Sequence, residues 1–127
     1  MSSKDFSDIS LLYVEDEPLI SLDAMSALED CGFKEIVCAY TLKSATAHTD
    51  QQDFDCAILD ISLERGVSSI ELGQALLKKG TKVILASGNG HDQSNLESIG
   101  FSSFFIKPYN IGEVISEIKR LFNVKKC

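Results

Sequence analysis

Five short apolar runs, each followed by a segment of helical character, punctuate this chain: Ile9 to Val14, Glu35 to Ala39, Cys56 to Leu59, Lys82 to Ala86 and Ser103 to Ile106. Most of them show little polar alternation, the pattern of strands covered on both faces. Strand and helix repeated in this way predict an α/β fold, a parallel sheet with helices on both sides. Right-handed crossovers leave few topologies for such a sheet. At 127 residues the chain has room for one domain and a substantial core, and we take 1–127 as that domain with its core at about 8–123.

Helix signals fill the gaps. Pro18 suits a first helical turn, Leu19, Leu22, Met25 and Leu28 recur at i+3 spacing, and Gly32 follows as a stop. A second helix is predicted from about Thr41. Ser68 with Glu71 has the spacing of a capping box for a third, which Gly80 closes. A short helix is predicted at Gln93 to Ser98, ending at Gly100. Asn110 and Glu113 repeat a cap-like spacing before Val114, Ile115, Ile118, Leu121 and Phe122. The chain ends five residues later, so no output domain is expected in it.

Charge and composition narrow the function classes. A net charge of −7 with lysines scattered singly or in pairs argues against nucleic acid or a membrane surface as partner. No apolar run approaches the length of a membrane span, and the N-terminus lacks a signal-peptide stretch, so a cytoplasmic location is expected. The four cysteines (Cys31, Cys38, Cys56, Cys127) form no CxxC and no metal-ligand spacing, which predicts reduced, structural thiols.

Ligands of open parallel α/β sheets bind beyond the carboxyl ends of the strands. Here those ends deliver Glu15-Asp16-Glu17, Asp60, Ser87 and Lys107-Pro108. Singly, each has an ordinary reading: an acidic first turn, a loop-starting aspartate, a turn hydroxyl, a solvated lysine. Together they put three carboxylates, a hydroxyl and an ammonium in one cleft. Glu15, Asp16 and Asp60 would repel one another unless a cation joined them. Their hard oxygen ligands suit magnesium, which keeps waters and pairs with phosphate oxygens. Asp60 is then placed to act as a nucleophile and form an aspartyl-phosphate, with Lys107 and Ser87 contacting the phosphoryl oxygens.

The segments LLYVEDEP (11–18), FDCAILDISL (54–63), KVILASGNG (82–90) and FFIKPYN (104–110) resemble receiver domains of two-component response regulators along almost the whole chain. The resemblance implies a sheet ordered 2-1-3-4-5 and a Mg²⁺ site made by Glu15, Asp16, Asp60 and the backbone carbonyl of Ser62. It implies Asp60 as phosphoacceptor, Ser87 and Lys107 as phosphoryl ligands, Ser87 and Phe104 as a switch pair, and usually a cis peptide before Pro108. Ile20, Pro108 and Tyr109 would border a sensor histidine kinase or histidine phosphotransfer protein, and a further protein would receive the signal. Such a domain is no enzyme beyond its own phosphotransfer and dephosphorylation. The loop Ser62-Leu63-Glu64-Arg65-Gly66-Val67 and Gly88 depart from the commoner family pattern, and the run Leu85-Ala86-Ser87-Gly88-Asn89-Gly90 looks closer to single-domain and hybrid-kinase receivers.

Three rivals share features with this reading. A phosphatase of the haloacid-dehalogenase type also uses a strand-end aspartate with magnesium, but needs a second acid where Ser62 stands. A flavodoxin-like module would carry a phosphate-binding loop where Glu15-Asp16-Glu17 repel phosphate. A degenerate receiver would serve only as an interaction surface, and the complete acidic set argues against it.

Overall fold

The structure is a computed structural model and describes residues 5–61, 63, 68–88 and 99–124. A 3₁₀ turn (Phe6–Asp8) precedes β1 (Ser10–Val14), α1 (Pro18–Asp30), β2 (Glu35–Ala39), α2 (Leu42–Gln51), β3 (Cys56–Asp60), α3 (Ile70–Lys78), β4 (Lys82–Ser87), β5 (Ser103–Ile106) and α4 (Ile111–Phe122). The strands form one parallel sheet in the order β2-β1-β3-β4-β5. Every strand lies within a residue or two of its apolar run. The Gln93 to Ser98 helix lies outside the described residues.

Side chains alternate across the sheet and feed two cores. Leu12, Val14, Leu59, Val83 and Leu85 face α2 and α3, with Ala45, Leu72 and Leu76. Leu11, Tyr13, Ile58 and Ile84 face α1 and α4, with Ala24, Leu28, Val114 and Ile118. The three central strands are buried on both faces apart from Lys82, whereas β2 and β5, at the edges, are mostly half-buried. Burial on both faces is why β1, β3 and β4 carry near-continuous apolar runs.

Two local patterns in the sequence are not realised as spacing alone suggests. On α1 the buried face is Ser21, Ala24 and Leu28, while Leu19 and Leu22 stand 80% and 65% exposed. Small side chains at 21 and 24 lie beneath the helix, and the Ser21 hydroxyl is satisfied by the carbonyl of Pro18 at 3.2 Å, so its burial costs little. The Ser68/Glu71 capping box does not form either. Ser69 is the N-cap of α3, and its hydroxyl donates instead to the carbonyl of Asp60 at 2.6 Å. Ser68 accepts from the amide of Ile70. Thr41 and Asn110 do cap α2 and α4, accepting from the amides of Ser44 and Gly112. Gly32 and Gly80 take the positive φ that ends α1 and α3.

Gly73 on α3 marks a close approach. A Cβ there would lie 2.8 Å from the ring of Phe101, which fills the space beside Leu59.

Candidate functional site

The carboxyl ends of β1, β3 and β5 are pinned one residue beyond the sheet. The amide of Glu15 donates to the carbonyl of Ala39, that of Ile61 to Ala86 and that of Lys107 to Ser87, the last at 2.7 Å. These bonds continue the strand ladders into the loops, so the backbone that carries the polar groups is hydrogen-bonded where they emerge. The hydroxyl of Ser69 holds the carbonyl of Asp60 itself. The peptide between Lys107 and Pro108 is cis.

On this frame the carboxylates converge. Glu15, Asp16 and Asp60 each offer an oxygen within 4.8 Å of the others; Glu15 and Asp60 are buried and Asp16 is half-buried. The Lys107 ammonium donates to Asp60 Oδ2 at 2.8 Å and to Glu15 Oε2 at 3.1 Å. Burial works against a charged lysine, but the hydrogen bonds to Asp60 and Glu15 outweigh it and raise the Lys107 pKa. Burial also raises the Glu15 pKa; Lys107 pulls it down and the Asp60 charge pushes it back up, leaving it raised. Glu15 Oε1 is buried with no hydrogen-bond partner. An orphaned, fully desolvated carboxylate oxygen is costly, and a hard cation beside Asp16 and Asp60 would satisfy it. The residues present therefore fit a divalent cation with oxygen ligands. Ser62, the remaining ligand from the sequence analysis, lies outside the described residues.

A cavity of about 570 Å³ opens beside these groups, with Asp16, Asp60, Gly88, Lys107, Ile20 and Tyr109 in its lining. Pro108 lines the same cavity. Ser87 is buried at the end of β4, paired in register with Ile106. Phe104 is half-buried and packs against the core that faces α2 and α3.

Sequence reasoning missed three contributors. Ser69 was passed over because its neighbour has the cap-like spacing. Asp23, on the first turns of α1, also lines the cavity. Tyr13 reads as one more apolar strand residue, yet its hydroxyl meets that of Tyr109 at 3.2 Å; the signal was a phenol inside an otherwise aliphatic run. Burial raises the pKa of both phenols, so the pair stays protonated.

The fold and the charged end of its sheet define a doubly wound α/β domain with an acidic, lysine-bridged cleft. Residues 11–119 match the response regulator receiver domain family, and the chain belongs to it. A receiver domain protein from Methanospirillum hungatei superposes with a TM-score of 0.80 at 24% identity, over 91% of this chain and 94% of that one. The response regulator TrrA from Thermotoga maritima, solved in complex with Mg²⁺ and BeF, is 30% identical with a TM-score of 0.76, over 89% of this chain and 98% of that one. The transcriptional regulatory protein CrdR of Helicobacter pylori is 27% identical over 89% of this chain, which spans about half, 54%, of that relative's length. Among the described residues no helix is long and apolar enough to cross a membrane.

Proposed function

We propose that this single domain accepts a phosphoryl group on Asp60 from a phosphohistidine of a sensor kinase or phosphotransfer protein, and relays the change to a protein partner. The observation that carries the reading is the Lys107 ammonium held between Asp60 and Glu15, beside the unpartnered Glu15 oxygen and Asp16. A carboxylate oxygen of Asp60 attacks phosphorus, the bond from phosphorus to the imidazole nitrogen breaks, and the imidazole leaves with its electron pair. Lys107 then shares its hydrogen bonds with the phosphoryl oxygens, and the Ser87 hydroxyl donates to one of them. Glu15, Asp16, Asp60 and the Ser62 carbonyl would hold Mg²⁺, which offsets phosphoryl charge when bound. TrrA, crystallised with Mg²⁺ and BeF, supports that choice of ion.

Output would follow from contacts available only in the phosphorylated state. Ser87, drawn toward the phosphoryl group, vacates space near β5, and Phe104 moves inward to reshape the surface between β4 and β5. The test of the proposal is the mass of the intact chain after incubation with magnesium and acetyl phosphate. The wild type should gain one phosphoryl group and Asp60→Asn none; an unchanged gain in Asp60→Asn would overturn the assignment.

A further inference from the structure

Tyr13 lies in β1, at one side of the site, fully buried, on the face that packs against α1 and α4. Its hydroxyl has one neighbour of its own kind, the hydroxyl of Tyr109 at 3.2 Å, reached across 96 residues of chain. Tyr109 sits two residues beyond Lys107, immediately before Asn110, the N-cap of α4. Its ring leans on Phe105, with centroids 6.2 Å apart, and forms part of the cavity wall beside Lys107 and Pro108. The segment that carries Lys107 is therefore held at one end by the Lys107 amide on Ser87 and at the other by the Asn110 cap. Between those anchors the phenol pair ties it to β1, the strand that leads into Glu15 and Asp16.

We infer that Tyr13 is a positioning residue for phosphoryl transfer: through the Tyr109 hydroxyl it fixes the segment that aims the Lys107 ammonium at Asp60. The geometry explains why a phenol occupies a strand position whose neighbours are aliphatic. A buried hydroxyl is tolerated when it is paired, and this pairing spans the β1 and β5 sides of the cleft. Lys107 reaches Asp60 and Glu15 with a long flexible side chain, so the placement of its backbone sets how much of the time the ammonium is aligned. The inference rests on the proposed transfer to Asp60.

Removing the two hydroxyls leaves different remnants. Tyr13→Phe frees the hydroxyl of half-buried Tyr109, which turns toward water. Tyr109→Phe strands the Tyr13 hydroxyl where water does not reach, and a buried unsatisfied group costs more than a lost bond. Melting temperature should therefore fall further in Tyr109→Phe than in Tyr13→Phe, whereas a positioning role slows both by a similar factor.

The experiment measures phosphorylation of the full chain by acetyl phosphate at saturating magnesium, well below the melting temperature, in wild type, both single variants and the double variant. Each single change should lower the saturating rate by about threefold to tenfold, the span of one ordinary hydrogen bond. The half-saturating donor concentration and the magnesium affinity should stay as in wild type, and the double variant should be no slower than the slower single. In the free protein, hydrogen exchange at the amides of Lys107, Tyr109 and Asn110 should quicken in Tyr13→Phe. Unchanged exchange, an unchanged saturating rate, rate losses that multiply in the double variant, or a loss matched by weaker magnesium binding would each overturn the positioning role. A wild type that gains no phosphoryl mass would instead sink the proposed function, and this inference with it. A wild type that gains the mass beside an equally fast Tyr13→Phe would sink the inference alone.

Discussion

Lys107 and Asp60 lie 47 residues apart in sequence and 2.8 Å apart in space, nitrogen to oxygen. The same ammonium bonds Glu15, so one lysine offsets two buried carboxylates while Asp16 stands half-buried beside them. The arrangement leaves net negative charge at the mouth of the cleft, a state that a divalent cation relieves.

Magnesium should stabilise the fold through this cluster. Binding to the native state alone adds about 1.4 kcal/mol at an ion concentration ten times the dissociation constant. Thermal melts with and without millimolar magnesium check this, and Asp16→Ala should lose most of the shift. An equal shift in that variant would place the ion elsewhere.

Glu15 gives the metal-free protein a pH dependence whose sign is fixed. Its folded pKa is raised, chiefly by burial, so the folded chain holds that proton more tightly than the unfolded one. The resulting stability is fully present below the unfolded value of about 4.3 and is lost as pH rises through the raised folded value. Metal-free Glu15→Gln should therefore lose less stability than wild type just above the ordinary carboxylate range, and should respond less to magnesium. Parallel melting curves for the two proteins across that window would contradict the assignment.

Gly73→Ala should destabilise the fold even though alanine is the better helix former. Replacing an interior helical glycine normally gains up to about 1 kcal/mol. Here the new methyl meets the Phe101 ring at 2.8 Å, and overpacking costs about 1–3 kcal/mol. Urea denaturation measures the balance. Phe101→Leu in the same chain should recover much of the loss, and a more stable Gly73→Ala would show that the ring yields freely.

Ile20, 37% exposed at the edge of the cavity, should contact the phosphodonor protein. Ile20→Glu should slow transfer from a cognate phosphohistidine protein by about tenfold or more, in the manner of an apolar interface anchor. Its phosphorylation by acetyl phosphate should match wild type. Equal slowing of both reactions would make the residue structural.

Much of this protein was legible in its sequence because the signals are local and periodic. Buried parallel strands need unbroken apolar runs, and β1, β3 and β4 show them. Helix ends need caps and glycines of particular backbone shape, and Thr41, Asn110, Gly32 and Gly80 supply them. The convergence of Glu15, Asp16, Asp60 and Lys107 was legible too, since a parallel sheet delivers whatever ends or follows each strand to one edge. Only the tertiary structure decided matters that depend on distance across the chain. The i+3 spacing of Leu19 and Leu22 could not say which face of α1 meets the sheet, because the small Ser21 and Ala24 allow the closer approach. Nor could spacing assign the Ser69 hydroxyl to the carbonyl of Asp60, pair Gly73 with Phe101, or bring the phenols of Tyr13 and Tyr109 together. Each of those contacts joins segments whose separation in sequence carries no periodic trace, and only packing sets it.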